Sequence, residues 1–538
     1  RYFLGELEVV KRQEATIDYQ YIDDQAKWPE AAKGQTAAAT SGQNTAGNVI
    51  GKQFVTWTGT IHPTATGNHK FRLYSSSYVK LFIDGKKVLD RWRQNWNPWY
   101  HNFVLPLTAG MPAEVRIEWE PNAGYIALLH KDPLSEPDRH SLTLSSELGK
   151  ALDYYFIAGD SMDGVISGYR TLTGKASMMP KWAYGFWQSR QRYNTQDEVL
   201  GVLREYRKRK LPIDNIVQDW FYWPEDSWGC HCFDAKRFPD PQAMVDEIHG
   251  SHANVMISVW AKFYPTTDHY KELDAVGGIY RRMVEPRPDE PTDPAYVKAN
   301  YRDWVGPGYA NAFYDPYNRQ AKQIFSSQMI ESLGTKGFDA WWHDSDEPDF
   351  HSNLSIEERQ RRMSPTATGP GAAFFNSYSL VHVEGVHANL LRFKPDVRPF
   401  ILSRSGFAGI QRASTALWSG DVVSRWDDLR DQISAGVNLS MSGIPNWTHD
   451  IGGFANEERY TKQDPAHVAE WRELNTRWFQ FGAFSPIFRT HGQDRPTLCE
   501  GWTTHDLAVH LYVRESDPMA GPGIMISALS DTTDKRMA

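Results

Sequence analysis

The first part of the chain carries short runs in which apolar and polar residues alternate. These runs are residues 52–61, 69–74, 79–83, 102–107, 114–119 and 125–129. Turn signals such as Gly67-Asn68 and Asp84-Gly85 separate them. A period of two places alternate side chains on opposite faces of a strand, so the pattern predicts an all-β sandwich over residues 1–145.

Beyond residue 179, apolar strand-like runs alternate with longer amphipathic segments. The predicted strands are residues 183–187, 215–218, 255–259, 338–342, 400–403, 414–418, 443–447 and 484–488. The predicted helices are residues 195–209, 241–249, 319–333, 378–392, 426–435 and 467–479. Eight strands with intervening helices are typical of a (β/α)8 TIM barrel, which we place at residues 146–493. Residues 494–538 follow neither pattern, and we expect them to form an atypical C-terminal tail.

Composition narrows the classes of partner. With 58 Lys and Arg against 66 Asp and Glu, the chain has a net charge of -8, which argues against a nucleic-acid partner. No apolar run reaches the roughly 18 residues needed to cross a bilayer, so we expect no membrane span.

The three cysteines are an odd number and predict no disulfide framework. Aromatic residues make up 13% of the chain, which suits either core packing or a sugar-binding surface. The sequence leaves the oligomeric state open.

Polar or aromatic residues follow every predicted barrel strand. They are Gln188-Ser189-Arg190, Asp219, Trp260, His343-Asp344, Arg404, Asp421, His449-Asp450 and Arg489-Thr490-His491. The carboxyl ends of barrel strands converge on one face, where the active sites of such barrels lie. Any one of these residues suits an ordinary solvated loop, but their occurrence after all eight strands indicates an active site.

Carboxylates dominate this predicted face. A nucleophile-elbow serine and a Gly-rich phosphate loop are both missing from the sequence. Paired carboxyl groups are what glycoside hydrolysis requires, and Asp344 and Asp421 are the best candidates. The acidic run 344–349 lacks the glycine and terminal glutamate of a calcium loop, and the triplet Cys230-His231-Cys232 lacks a second ligand pair. We therefore expect neutral thiols in the triplet, no metal and no cofactor.

The order of several motifs resembles glycoside hydrolase family 31, the retaining α-glycosidases. The nucleophile segment of the family resembles Trp342-His343-Asp344-Ser345-Asp346-Glu347. Its acid/base segment resembles Arg404-Ser405, then Trp418-Ser419-Gly420-Asp421, then Trp426-Asp427-Asp428-Leu429. Further similarity lies in 180–185, in 450–454 and in Arg489-Thr490-His491-Gly492. The resemblance covers about residues 150–493, and both ends of the chain depart from the family pattern.

The resemblance implies a role for each candidate residue. Asp344 would be the catalytic nucleophile, and Asp421 would be the acid/base that protonates the leaving oxygen and then activates water. The residues implied to bind the terminal sugar are Asp219, Trp260, Trp342, Arg404, Trp418 and His491.

The N-terminal segment 74–85 resembles the carbohydrate-associated module first described in protective antigen, which occurs in family 31 α-xylosidases that act on xyloglucan oligosaccharides. Trp342 stands two residues before Asp344, and a bulky side chain near C5 would favour xylose because xylose lacks the hydroxymethyl group of glucose. The resemblance thus implies an α-xylosidase with an oligosaccharide substrate. We also expect a periplasmic or secreted location. The alternatives are an α-glucosidase and a carbohydrate-binding protein whose catalytic scaffold is impaired.

Overall fold

The computed structural model describes residues 1–20, 53–75, 78–92, 99–121, 125–134 and 140–492, except for 5, 143, 145, 147, 351–353, 355, 458 and 461–463. The predicted tail at 494–538 lies outside the described residues. The chain divides into two compact units. The first contains Arg1–Leu152, Tyr280–Ala312 and Asp349–Ala373, and the second contains Asp153–Ile279, Phe313–Pro348 and the chain from Phe374 onward.

Two antiparallel sheets form the N-terminal part of the first unit. Their strands are β1 Tyr2–Leu4, β2 Leu7–Val10, β3 Asp18–Gln20, β4 Gln53–Ile61, β5 Gly67–Ser75, β6 Tyr78–Ile83, β7 Lys86–Arg91, β8 Trp99–Leu107, β9 Ala113–Glu120 and β10 Tyr125–Lys131. One sheet has the order β2-β1-β4-β9-β6-β7 and the other has the order β3-β10-β5-β8. Every second residue of β6 is buried, as a period of two requires. The predicted all-β fold is confirmed. Strand β7 was not predicted, because Lys86-Lys87 and Asp90 interrupt its apolar pattern at an edge of the sheet.

Eight parallel strands form the barrel of the second unit. They are β11 Phe186–Gln188, β12 Asn215–Gln218, β13 Asn254–Ser258, β16 Ala340–His343, β17 Ile401–Ser403, β18 Thr415–Trp418, β20 Trp447–Thr448 and β22 Phe488–Thr490. They pair in the order β20-β18-β17-β16-β13-β12-β11-β22. The ring closes where Ile487 N donates to Trp447 O over 3.2 Å and Ile451 forms a parallel bridge with Thr490. The predicted (β/α)8 barrel is confirmed. The remaining short strands are β14 Lys262–Phe263, β15 Ala312–Phe313, β19 Val423–Ser424 and β21 Ala455–Asn456.

Helices lie before and between the barrel strands along the chain. They are α1 Met162–Thr173, α2 Gln196–Lys208, α3 Pro241–Gly250, α4 Asp268–Ala275, α5 Pro294–Tyr301, α6 Arg319–Ser332, α7 Ile356–Arg362, α8 Gly371–Phe374, α9 Tyr378–Phe393, α10 Trp426–Met441 and α11 Pro465–Ala483. Capping side chains mark where several of them begin. For example, Thr195 Oγ1 accepts from Glu198 N at the start of α2, and Asp240 accepts from Ala243 N at the start of α3.

Three barrel predictions, for the first, seventh and eighth strands, were displaced along the chain. Residues 181–184 form a 3-10 turn, and the first strand begins only at Phe186, whose N–H donates to Asp214 over 2.8 Å. The seventh strand occupies Trp447–Thr448, because α10 runs on to Met441 and a turn follows it at Gly443, whose φ is +88°. The eighth strand occupies Phe488–Thr490, because α11 runs on to Ala483. The predicted segments contain apolar residues, so their hydrophobicity did not distinguish a turn or a helix end from a strand.

The cysteine prediction was wrong in one respect. Cys230 and Cys232 form a disulfide across His231, where neutral thiols were expected. The spacing of two residues hid this bond, because such a short loop carries no framework signal. Among the described residues, no helix is long and apolar enough to cross a membrane.

Candidate active site

Asp344 follows β16, whose four residues are all buried. The side chain lies in contact with two groups that favour its ionised form. Ser345 N donates to Asp344 Oδ1 over 2.7 Å, and Arg404 Nη1 lies 3.3 Å from the same oxygen. Burial opposes these contacts and raises the pKa of Asp344 to about 7. The charge on Asp421 raises this pKa as well, so the two carboxyl groups are coupled.

Asp421 follows β18, which is separated from β16 by a single strand in the barrel. The residue is exposed to solvent on one side, while charged side chains of the protein lie around its carboxyl group. The loss of hydration raises the pKa of Asp421 to about 7, and the charges of Asp450 and Glu347 act in the same direction. The contacts with Arg404 and with Ser345 N–H favour the ionised form of Asp344.

Arg404 links the ends of β16 and β17. Besides approaching Asp344, its guanidinium donates to Ser345 Oγ over 2.7 Å and to Glu347. The neighbouring Asp346 accepts hydrogen bonds from Ser403 Oγ at 2.5 Å and from Ser405 N at 3.0 Å. These bonds hold the loop that begins at Asp344 against the next strand, which fixes the position of the carboxylate.

Asp219 and His491 form a second polar group beside the carboxyl pair. Both are buried, and His491 Nε2 lies 3.9 Å from Asp219 Oδ2. His491 Nδ1 shares a 2.7 Å hydrogen bond with Ser189 Oγ, and Trp220 N donates to Asp219 Oδ1 over 2.7 Å. Burial raises the pKa of Asp219 well above its usual range, and the charge on Asp344 adds to this effect. The imidazole is held neutral, because burial lowers the pKa of His491.

Trp342 and Trp418 lie at the base of the site. Their rings meet edge to face with centroids 5.3 Å apart, and Trp342 meets His491 in the same way at 5.2 Å. The Arg489 guanidinium lies 5.2 Å from the centroid of Trp342. Only 2% of Trp342 is exposed, so its indole is a fixed wall rather than a mobile cover.

Trp260 belongs to a separate aromatic group on the neighbouring strand β13. Its indole N–H donates to Ser258 Oγ over 3.2 Å, and its ring meets Trp228 edge to face at 4.8 Å. Val259 N donates to Trp342 O over 2.7 Å, which places Trp260 next to the end of β16. The other seven candidate residues are linked to one another by side-chain contacts or by their charges. Trp260 is linked to them only through the backbone hydrogen bond of its neighbour Val259.

Two features of the site were not predicted from the sequence, a buried ion pair and a chain of hydrogen bonds. Arg489 and Asp450 form an ion pair in which neither side chain is exposed. Burial raises the pKa of Asp450 to about 6, and the charge on Asp344 contributes. Behind Asp344, His343 Nδ1 and His382 Nε2 lie 3.0 Å apart, and Tyr314 OH lies 2.7 Å from His382 Nδ1. Arg489 and Asp450 stood among the residues after predicted strands, but nothing in the sequence showed that they pair.

Comparison with known families identifies both parts of the chain. Residues 176–516 match the model of the glycosyl hydrolases family 31 TIM-barrel domain. The chain belongs to glycoside hydrolase family 31. Residues 17–123 match the PA14 domain, in the region of the antiparallel sheets.

Several family 31 members are similar to this chain. An α-xylosidase of Saccharolobus solfataricus is 38% identical over 354 residues, which are 66% of this chain and 43% of the relative. An uncharacterized family 31 glucosidase, ORF2 of Pseudescherichia vulneris, is 32% identical over 66% of this chain and 61% of its own length. The crystal structure of a family 31 α-xylosidase from Xanthomonas citri is 52% identical, with a TM-score of 0.84, over 96% of this chain and 54% of that one. The chain therefore spans about half the length of these relatives.

Proposed function

We propose that this family 31 chain hydrolyses α-xylosides with retention of configuration. The observation that carries the proposal is the similarity to the Xanthomonas citri α-xylosidase, which extends over nearly the whole of this chain. The Saccharolobus α-xylosidase supports the same substrate. The substrate that we propose is a xyloglucan oligosaccharide, from which α-xylose is released at the non-reducing end.

The contacts of Asp344 and the raised pKa of Asp421 support different roles for the two carboxyl groups. In the first step, Asp344 Oδ attacks the anomeric carbon, the bond to the leaving oxygen breaks, and Asp421 gives its proton to that oxygen. The product of this step is a β-linked xylosyl ester of Asp344. In the second step, Asp421 takes a proton from water, the water oxygen attacks the anomeric carbon, and the ester bond breaks to release α-xylose.

Trp342 is proposed to set the preference for xylose. Its indole is held by Trp418 and His491 and stands two residues before the proposed nucleophile. A fixed bulky wall near C5 leaves room for the hydrogen atoms of xylose and not for the hydroxymethyl group of glucose. Asp219, Trp260, Arg404, Trp418 and His491 are proposed to contact the same terminal sugar.

The preference for xylose over glucose can be measured directly. We expect an aryl α-xyloside to show a kcat/KM at least about tenfold higher than the matching aryl α-glucoside, which is the scale of discrimination that one added group produces in a shaped pocket. The measurement is the rate of phenol release from the two substrates under identical conditions. Faster hydrolysis of the glucoside would instead support the alternative function, an α-glucosidase.

The raised pKa of Asp421 should make the activity depend on pH. The proposed acid, Asp421, has a pKa raised to about 7, so its protonated form is lost as the pH rises through neutrality. We therefore expect kcat/KM for an aryl α-xyloside with a poor leaving group to fall above about pH 7. An activated aryl leaving group needs less proton donation, and the fall should then be smaller. A profile that stays level to high pH with the poor leaving group would contradict the role of Asp421.

We also propose a periplasmic or secreted location. The Cys230–Cys232 disulfide supports it, because disulfides persist in oxidising compartments and are rare in the cytosol.

A further inference from the structure

Two adjacent strands of the first unit bring three metal-binding side chains together. β5 and β10 are antiparallel, with Phe71 opposite His130 and Lys70 opposite Lys131. Since side chains alternate along a strand, His69 lies on the same face as Phe71 and His130. Asp132 follows β10 directly, two residues after His130. The register of this strand pair therefore gathers His69, His130 and Asp132 at one end of the sheet.

The distances between the donor atoms suit a small cation. His69 Nδ1 lies 2.8 Å from His130 Nε2 and 3.5 Å from Asp132 Oδ1, and His130 Nε2 lies 3.7 Å from that oxygen. A tetrahedral zinc ion has bonds of about 2.0–2.2 Å to nitrogen and oxygen, which places its ligand atoms roughly 3.3–3.5 Å apart. The three separations bracket this range. Among the described residues, this is the group of three whose ligand atoms all lie within 4.8 Å of one another.

A hydrogen bond on the far side of the His69 ring leaves its Nδ1 available. His69 Nε2 lies 2.8 Å from Ala65 O, and a carbonyl oxygen accepts only, so the proton of the neutral ring is on Nε2. A backbone carbonyl on the far nitrogen is the usual outer contact of a metal-binding histidine, because it fixes both the tautomer and the ring orientation. In the absence of an ion, His130 Nε2–H donates to His69 Nδ1. When an ion binds, that proton moves to Nδ1 of His130.

The surroundings hold the ligands in place and leave one side open. The ring of His130 packs on Phe71, with centroids 4.7 Å apart, and Phe71 stacks on Phe103 at 5.2 Å. His69 is completely buried, whereas His130 and Asp132 are exposed. An ion can therefore enter from solvent, and its fourth position faces water.

We propose that His69, His130 and Asp132 bind a first-row divalent transition-metal ion, with zinc as the typical case and water as the fourth ligand. Two imidazoles and one carboxylate suit such ions, whereas calcium and magnesium require mainly oxygen ligands. The site lies outside the barrel, and it departs from the sequence-based expectation of a chain without metal. It does not depend on the proposed hydrolytic function.

The test measures Zn²⁺ binding to the full chain by titration calorimetry after treatment with a chelator. His69→Ala risks misfolding because His69 is buried, so the exposed ligands are changed instead, in His130→Gln and Asp132→Asn. We expect each variant to bind Zn²⁺ at least about tenfold more weakly at one site. His62→Gln, which changes an exposed histidine of the same unit, serves as the matched control and should bind as the unaltered chain does.

Two further measurements define the chemistry of the site. Co²⁺ bound at this site should give the intense visible absorption of a four-coordinate ion, and this absorption should disappear in His130→Gln. Ca²⁺ should not compete for the site. Equal Zn²⁺ affinity in the ligand variants and the unaltered chain, or no saturable binding at all, would overturn the proposal and leave His69 and His130 as a hydrogen-bonded pair only.

Discussion

Asp344→Ala is expected to lower the turnover of an aryl α-xyloside by on the order of 10⁴-fold or more, because the first displacement then lacks its nucleophile. The measurement is kcat with the aryl α-xyloside. Asp344→Asn should be similarly inactive, although it keeps the shape of the side chain and an oxygen that can accept from Ser345 N. That pair of variants separates the loss of the carboxylate from a loss of packing.

The control for Asp344 is Asp396→Asn, which changes an exposed aspartate of the same unit and should retain full activity. Rescue by azide gives a sharper test of the role. In Asp344→Ala, azide can enter the space left by the carboxylate and attack from the same side, which yields a β-xylosyl azide. A residual activity within about tenfold of the unaltered chain, or rescue that yields the α-azide, would contradict the assignment of Asp344.

Asp421→Ala is expected to lower activity by about 10²–10⁴-fold on a substrate with a poor leaving group, which is the range typical of a missing general acid. The loss in the first step should be much smaller with an activated aryl leaving group, since departure then needs little proton donation. The measurement compares kcat/KM for the two substrates. The alkaline fall in kcat/KM of the unaltered chain should also disappear in this variant.

Azide distinguishes the two carboxyl groups from each other. In Asp421→Ala, the xylosyl ester still forms on Asp344, and azide then attacks it in place of water from the opposite face, which yields an α-xylosyl azide. The two variants should therefore give azides of opposite configuration. An equal loss for all leaving groups in Asp421→Ala, with no azide product, would indicate that Asp421 positions the substrate and does not transfer the proton.

The sequence predicted those features that depend on local pattern. The alternation of apolar residues identified β4, β5 and β6, and the order of strands and helices identified the barrel. It also placed Asp344 and Asp421 after their strands, because the carboxyl ends of barrel strands share one face. Predictions were weaker where apolar residues form turns, as at residues 181–184, since hydrophobicity alone does not distinguish a turn from a strand.

The pattern of apolar and polar residues did not predict contacts between segments that are distant in the chain. The ion pair between Arg489 and Asp450 depends on how the last two barrel strands meet. The pairing of His69 with His130 depends on the register between β5 and β10. The raised pKa values of the two aspartates also depend on the crowding of neighbouring groups in three dimensions. Burial and register are properties of the folded chain, so they become visible only in the structure.

The most direct test of the proposed double displacement uses 5-fluoro-α-xylosyl fluoride. Its fluorine at C5 slows both displacements, while the fluoride at C1 remains a good leaving group. We predict that the reagent inactivates the chain and that mass spectrometry of its peptides finds one fluoroxylosyl group on Asp344. Asp344→Asn, treated in parallel, should carry no label. Saturable binding of xylose-containing oligosaccharides without any label would instead identify a carbohydrate-binding protein, and a label on another carboxylate would contradict the proposed nucleophile.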